Sequence, residues 1–310
     1  MVIEVHKNVM LAIVLSVVVI MASLTGAIML LGWPGASDEV AKFTIRDDRG
    51  GDIGFPDYPQ RIVSLGSSFT EIIIALNEGD RLVGVDYSGA ALEGLPKDVV
   101  DLGKTSSLSM ETLMELEPDC VIIWNFGMYQ DLIAKMEKKG LKVVALYPRS
   151  VNDTLFAIER IGNLLGTEAS NLADELRQRV NAVFEKTKDI PDEERKKVFL
   201  VLASYGGQTA GSGTISNELI EMAGGRNIFV DEKGNFLANK EEVLKREPDV
   251  IVVENSPLGD NKYFNDLYGD TEIVNHDQIY YIDSGMLTTS PRLVEALEQL
   301  AKWLHPELFP

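Results

Sequence analysis

The sequence predicts an α/β protein of two similar lobes that are joined by a long helix and preceded by an N-terminal transmembrane helix. Short β-branched runs recur at about 20-residue spacing in two halves of the chain, with helical segments between them. The stretch between the halves has helical periodicity alone, and the first 33 residues are almost entirely apolar. The expected divisions are a membrane anchor or signal segment at 1–37, an N-terminal lobe at 38–150, a connecting helix at 151–190 and a C-terminal lobe at 191–310.

The N-terminal segment is long enough to cross a membrane, because residues 8–33 carry no charged side chain. A helix rises ~1.5 Å per residue, so about 24 residues would span ~36 Å. A secretory signal has an apolar stretch of only ~7–15 residues. We therefore expect residues 9–32 to form an uncleaved anchor with the bulk of the protein outside the cell. Cleavage near Ala22 or Ala27 is the alternative, since small residues cluster there; no cysteine directly follows the run, which excludes a bacterial lipoprotein anchor.

The first half alternates short apolar runs with helix-like segments, the pattern of βαβ units and a parallel sheet. The predicted strands are Arg61–Leu65, Arg81–Asp86, Cys120–Trp124 and Lys142–Tyr147. The predicted helices are Phe69–Leu76, Met110–Glu117 and Met128–Gly140.

The second half repeats this alternation, so a second lobe of the same class is expected. Its predicted strands are Lys197–Leu202, Val250–Glu254 and Gln278–Asp283, and its predicted helices are Ser216–Gly225, Glu241–Glu247 and Pro291–Leu304. Between the halves, leucine, isoleucine and valine recur at three- and four-residue steps from Val151 to Asp189, which indicates one apolar helix face. Gly166-Thr167 interrupts this stripe and Pro191 ends it. A docked helix of this length would resist wide hinge motion between the lobes.

An internal repeat supports the two-lobe prediction. The segments 109–119 and 239–249 each begin with a capping-type residue, place a glutamate two positions later, and end in Glu-Pro-Asp before a strand. The two glutamates are Glu111 and Glu241. First-turn glutamates are common because the helix dipole stabilises a carboxylate there. Two at equivalent positions of two lobes indicate a shared role.

Composition and motifs exclude several classes of function. A net charge of −19 has the wrong sign for nucleic-acid binding. One cysteine and three histidines leave no thiolate zinc site, CxxC redox motif or histidine-rich metal cage. No GxSxG elbow and no complete phosphate or dinucleotide loop occurs. An extracellular binding protein is therefore favoured, and the alternative is a secreted, membrane-anchored α/β enzyme, a metal-dependent hydrolase that uses only carboxylates.

Candidate ligand-binding residues follow the predicted strands at their carboxyl ends, where open α/β sheets bind ligands. Small, aromatic and basic side chains collect there, and together they indicate a cleft for a large, flat or aromatic-faced ligand. The candidates are Ser67, Ser68, Tyr87, Trp124, Tyr129, Tyr147, Arg149 and Tyr205.

Four stretches together resemble the substrate-binding proteins of ABC importers for iron chelates and cobalamin, the class with a helical backbone. These are residues 59–89, the two repeat segments, residues 213–229 and residues 290–304. The similarity covers nearly everything from about Thr44 onward. It implies two Rossmann-like lobes, a rigid helix between them, a cleft for a metal chelate, and delivery to a membrane permease with its ATPase subunits.

The resemblance also assigns roles to particular residues. It places permease-contacting glutamates at Glu111 and Glu241, and cleft aromatics of corrinoid binders at Tyr87 and Trp124. Ferric siderophore binders often add a basic residue, for which Arg149 is the candidate. Haem would need an axial ligand, for which the candidates are Tyr87, Tyr147 and Tyr205. The ligand is therefore expected to be a ferric siderophore, haem or a corrinoid, with no resident cofactor.

Overall fold

The N-terminal lobe is built on a five-stranded parallel sheet. The computed structural model describes residues 41–203, 207–255, 262–270 and 278–309, without the side chains of 262, 263 and 267. A β-hairpin comes first, β1 (Phe43–Arg46) with β2 (Asp52–Phe55). The sheet order is β5–β4–β3–β6–β7. These strands are β3 (Ile62–Leu65), β4 (Leu82–Val85), β5 (Val100–Asp101), β6 (Cys120–Trp124) and β7 (Val143–Leu146).

Four helices belong to this lobe, and each longer one begins after a strand as the alternation predicted. They are α1 (Ser67–Ala75), α2 (Tyr87–Ala90), α3 (Met110–Glu115) and α4 (Gln130–Lys138). The strands β3 and β7 are buried on both faces, because helices cover both sides of a parallel sheet.

The C-terminal lobe has a smaller parallel sheet of order β10–β8–β12–β13 and a two-stranded ribbon of β9 and β11. The strands are β8 (Lys197–Val201), β9 (Thr209–Ala210), β10 (Arg226–Asn227), β11 (Asn235–Phe236), β12 (Val250–Asn255) and β13 (Ile279–Asp283). The helices are α7 (Ile215–Met222), α8 (Lys240–Arg246), α9 (Lys262–Tyr268) and α10 (Leu293–Leu304). Both lobes therefore have the parallel sheets that the spacing of β-branched runs predicted.

The connection between the lobes is two helices rather than one long helix, which corrects the expectation for residues 151–190. They are α5 (Val151–Leu165) and α6 (Ser170–Thr187). Gly166 ends α5 in the left-handed region, with φ 69°, where a side chain is unfavourable. The chain then folds back, so that Arg177 of α6 pairs with Glu159 of α5 at 2.7 Å. Gly162 permits the close crossing, since a Cβ there would lie 2.0 Å from the Cβ of Ala169.

Helix α6 is attached to the C-terminal lobe by polar and apolar contacts. Arg179 makes a bidentate pair with Glu298 of α10, at 2.9 and 2.8 Å. The Thr187 hydroxyl donates to the Met222 carbonyl of α7 at 2.7 Å. One apolar core runs without a break from the N-terminal sheet through α5 and α6 to β12 and α10. The lobes thus share a core, and separating them would expose it to water.

The predicted anchor at residues 9–32 lies outside the described residues, so it stays a prediction. In the part of the chain that the structure describes, no helix has both the length and the apolar composition that a membrane crossing requires.

Candidate ligand-binding site

The connection order of the N-terminal sheet defines where a ligand site is expected. The chain runs from β3 to β4 and β5 on one side, and then to β6 and β7 on the other. Ligands of open α/β sheets bind at this reversal, beyond the carboxyl ends of the strands on either side. Those ends carry Ser67, after β3, and Trp124, the last residue of β6.

An aromatic cluster covers this end of the sheet. The Trp124 and Phe126 rings stack at 5.1 Å with an interplanar angle of 1°. Phe126 also contacts Tyr129 at 5.9 Å and Tyr147 edge-on at 5.4 Å, and Phe69 packs under Trp124 at 4.7 Å. Three predicted cleft residues, Trp124, Tyr129 and Tyr147, are thus joined through Phe126, which the sequence analysis did not select. Phe126 lies two residues after Trp124, and in an extended chain such residues lie on the same side. This spacing is the sequence feature that could have identified it.

The Trp124 indole is held by the turn after β3. Gly66 has φ 153°, and a Cβ built there would lie 2.5 Å from the indole nitrogen and 2.8 Å from an adjacent ring carbon. A larger residue at position 66 would displace the indole, so glycine is required for this close approach. The ring is half-buried, so it offers an apolar surface in a fixed orientation.

Tyr87, Arg149 and Tyr205 occupy different positions relative to the aromatic cluster. Tyr87 is 66% exposed at the start of α2, and among the described residues it makes no ring contact. The Arg149 guanidinium lies 5.5 Å from the centre of the Tyr147 ring, which is itself 41% exposed. Arg149 therefore extends the cluster with a cation at its edge. Tyr205 lies outside the described residues.

The two predicted serines differ in exposure. Ser67 is half-buried, and its N–H donates to the Ser88 hydroxyl at 3.2 Å, which ties the ends of β3 and β4 together. Ser68 is 3% exposed, and its hydroxyl lies 3.4 Å from that of Thr289 in the C-terminal lobe. Ser68 thus contributes to the contact between the lobes in this structure instead of lying on an open cleft surface, because the first turn of α1 is covered by residues 289–292.

Glu111 and Glu241 lie in the first turns of α3 and α8, one in each lobe, as the repeat predicted. The N-cap Ser109 accepts a hydrogen bond from the Thr112 N–H at 3.2 Å. The N-cap Asn239 accepts from the Glu241 N–H at 2.8 Å. Both glutamates are exposed, so their carboxylates are accessible to a partner.

The two repeat segments also end in the same backbone conformation and with equivalent hydrogen bonds. Glu117 and Glu247 have φ of 43° and 49°, a left-handed turn that directs the chain into the next strand. The Asp119 carboxylate accepts from the Arg61 N–H at 2.8 Å, and Asp249 accepts from the Lys197 N–H at 2.7 Å. These bonds join each repeat helix to the first strand of its own sheet. The sheet therefore fixes the position of each first-turn glutamate.

Two half-buried carboxylates lie where the lobes meet. Glu218 of α7 accepts from the Val151 N–H of α5 at 2.9 Å. Glu71 of α1 lies 3.7 Å from Arg292. Burial raises the pKa of both carboxyls above the ordinary value. For Glu218, the hydrogen bond from the Val151 N–H partly offsets this rise. For Glu71, the Ser290 hydroxyl and the Arg292 charge partly offset it. The sequence alone gave no signal for these contacts.

The raised pKa of Glu218 predicts a pH-dependent stability. The folded state holds the proton to higher pH than the unfolded state, so this group destabilises the fold as pH rises above about 4.5. Glu218→Gln removes this half-buried charge and keeps an acceptor for the Val151 N–H. We expect the difference in melting temperature, variant minus native chain, to increase from pH 4 to pH 8. Glu168→Gln, an exposed carboxylate, is the matched control. A Glu218→Gln variant that is less stable than the native chain at pH 8 would contradict this account.

In the described part of the chain, no three His, Cys, Asp or Glu side chains converge as ligands for a metal ion. The site is an aromatic surface with polar edges, which suits binding through apolar contact.

Comparison with known proteins identifies a family and several relatives. The ABC transporter substrate-binding lipoprotein YvrC of Bacillus subtilis (strain 168), described as uncharacterized, is 29% identical over 307 residues, 93% of this chain and 96% of that protein. The vitamin B12-binding protein of Yersinia pestis (strain Pestoides F) is 25% identical over 201 residues, 63% of this chain and 69% of that protein. The solved structure of the periplasmic heme-binding protein RhuT from Roseiflexus sp. RS-1, in apo form, matches with a TM-score of 0.69 and 25% identity, over 80% of this chain and 99% of that one.

The family profile described as periplasmic binding protein matches residues 62–285, which include both sheets, the aromatic cluster and the connecting helices. This is a family of solute-binding proteins rather than enzymes, so the hydrolase alternative is set aside. The expectation from sequence resemblance is confirmed: the chain belongs to the periplasmic binding protein family.

Proposed function

We propose that this protein is the extracytoplasmic substrate-binding protein of an ABC importer, and that it captures a metal chelate between its lobes and delivers it to a permease. The observation that carries the proposal is the aromatic cluster at the reversal point of the N-terminal sheet. A preformed apolar surface of this kind binds flat, bulky ligands at little cost in ordering. The name of the Bacillus subtilis relative supports the ABC importer assignment.

The chemistry of the cluster favours a ligand with a large apolar face and peripheral negative charge. Trp124 and Phe126 offer ring surface, and Arg149 offers a guanidinium beside Tyr147. A corrinoid has the large ring face with mostly neutral amides at its edge, whereas a haem and an aromatic ferric siderophore have both properties. The vitamin B12-binding and heme-binding relatives support the first two.

The experiment that tests the proposal identifies the ligand directly. We expect the protein purified from its native cells to carry a chelate that mass spectrometry detects, together with an absorption band of a corrin, a porphyrin or a ferric complex. Titration of the ligand-free protein with each chelate class should give one saturable interaction. If none of the three classes binds, the proposal is wrong.

The connection between the lobes supports a small conformational change on binding. Helix α6 is fixed to α10 by Arg179 and to α5 by Arg177, and Ser68 meets Thr289 across the lobes. Wide closure would break these contacts and disrupt a shared core. We expect X-ray scattering curves of the ligand-free and ligand-bound protein to superimpose closely. A large fall in the radius of gyration on binding would refute a rigid connection.

The proposed location depends on residues 9–32, the predicted anchor. The one cysteine of the sequence, Cys120, is buried in β6, so it is not accessible for lipid attachment. We expect cell fractionation to find the intact chain in membranes, and external protease to digest the lobes of whole cells. A mature form that begins near Ala27 would overturn the anchor and leave export in place.

A further inference from the structure

A groove with an apolar floor and a polar rim lies between α3 and α4. It has a volume of about 340 Å³. Its apolar lining is Leu108, Met110, Met128, Tyr129 and Leu132, and its polar lining is Thr105, Ser106, Asp131 and Lys135. Met128 is 71% exposed, the highest value among the large apolar side chains of the described residues. Methionine is flexible and polarizable, and surfaces rich in it adapt to the side chain that they receive.

The groove continues onto the surface that carries Glu111. A shallow depression of about 550 Å³ shares Met110 with it and is lined also by Glu111, Met114 and Glu115. Lys139 lies on the opposite edge, on the α4 side. The apolar floor is therefore bordered by carboxylates alone along α3, and by Lys135 and Lys139 together with Asp131 along α4. A partner that fits this border carries a cation on the α3 side and an apolar side chain next to it.

The repeat shows that the groove is specific to the N-terminal lobe. In the second repeat segment, Met110 and Met114 correspond to Lys240 and Leu244. Leu244 is 39% exposed, so an apolar side chain follows the docking glutamate in both lobes. The Lys240 ammonium instead pairs with Asp270 at 2.7 Å, so a charged pair stands where Met110 stands in the first lobe.

We infer that this methionine groove receives an apolar side chain from an extracytoplasmic segment of the permease, and that the same segment carries the cation that pairs with Glu111. The inference rests on the proposed function, and it is supported by the continuity of the groove with Glu111 and by the acidic border. The ion pair sets orientation, because an exposed pair contributes little to binding affinity. The inserted side chain supplies the affinity of the N-terminal lobe for the permease.

Site-specific photocrosslinking in the native cells tests this contact. A benzophenone amino acid replaces Met128 in one variant, Leu244 in a second and Phe184 in a third. Phe184 lies 43% exposed on α6 and serves as the matched control. We expect the Met128 and Leu244 variants to crosslink to the permease subunit, identified by mass spectrometry, and the Phe184 variant not to.

Affinity for the permease gives the second measurement. With the permease reconstituted in nanodiscs, Met110→Gln with Met128→Gln should weaken docking about tenfold, because glutamine keeps the length of methionine and removes the apolar contact. Phe184→Gln should leave docking unchanged, and all these variants should keep their affinity for the chelate.

Three outcomes overturn the inference. Crosslinks from position 244 to the permease but none from position 128 would show docking without the groove, and would leave the proposed function in place. Crosslinks from position 128 to a second copy of this chain would make the groove a self-association surface. Absence of permease crosslinks from both positions, in a protein that binds a chelate, would remove the docking step together with the groove.

Discussion

Reversing both first-turn glutamates, Glu111→Arg together with Glu241→Arg, is expected to reduce uptake to the background level while ligand affinity stays normal. The two carboxylates are exposed, one in each lobe, on helices that each sheet holds in place through Asp119 and Asp249. A two-fold symmetric permease could pair an arginine with each of them. Arginine at both positions would place like charges opposite each other, which costs several kcal/mol of docking energy. Uptake of the labelled chelate by whole cells is the measurement.

A matched control separates docking from the general effect of charge. Glu168→Arg with Glu193→Arg changes the net charge equally at exposed positions outside the two helix starts, and we expect uptake close to that of the native protein. Reversing the permease arginines to glutamate should restore part of the uptake of the docking variant. Full uptake by the Glu111→Arg, Glu241→Arg protein would remove these residues from the mechanism.

The competing explanation for these glutamates is local stabilisation of their own helices. A carboxylate in the first turn contributes ~0.3–1 kcal/mol through the helix dipole. If this were their whole role, the double variant would lose some melting temperature, and uptake would fall only in proportion to the folded protein. Circular dichroism of the purified variant distinguishes the two, since the docking account requires a folded protein that binds the chelate and does not deliver it.

Seven of the nine described strands in the two parallel sheets could be predicted, because parallel strands that are covered on both faces read as continuous apolar runs. The other two, β5 and β10, have two residues each and are too short to give this signal. Cys120–Trp124, for example, is a strand in the structure with the predicted bounds. The helix repeat was equally visible, since capping residues and Glu-Pro-Asp turns are local signals. Local chemistry of this kind is present in the sequence before any tertiary contact forms.

What could not be predicted depends on contacts between distant parts of the chain. The connecting stripe of apolar residues is compatible with one interrupted helix or with two that pack together. The left-handed turn at Gly166 lets the second helix fold back, and the close approach of Gly162 to Ala169 forms only in that packed arrangement. Ser68 was grouped with the cleft because it follows β3, yet its burial depends on Thr289, far along the sequence. The role of Phe126 depends on the position of Tyr147, which a neighbouring strand provides.

Trp124→Ala is expected to weaken binding of the chelate by roughly ten- to hundredfold, with the fold retained. Loss of one buried aromatic contact costs on the order of 1–3 kcal/mol, and every 1.4 kcal/mol changes Kd about tenfold. The effect should exceed that of Tyr87→Ala, because Trp124 stacks on Phe126 and is held over Gly66, whereas Tyr87 is 66% exposed. We nevertheless expect Tyr87→Ala to weaken binding.

Two further variants show whether the loss comes from the ligand surface or from the fold. Trp124→Phe keeps an aromatic ring against Phe126 and should retain most of the affinity. Tyr281→Ala removes an aromatic ring that is 42% exposed on β13, outside the aromatic cluster, and should leave Kd unchanged. Calorimetric titration with the identified chelate measures all four variants, and thermal melting checks that each is folded. Normal affinity in both Trp124→Ala and Tyr87→Ala would mean that the ligand binds elsewhere and that these rings only pack against the end of the sheet.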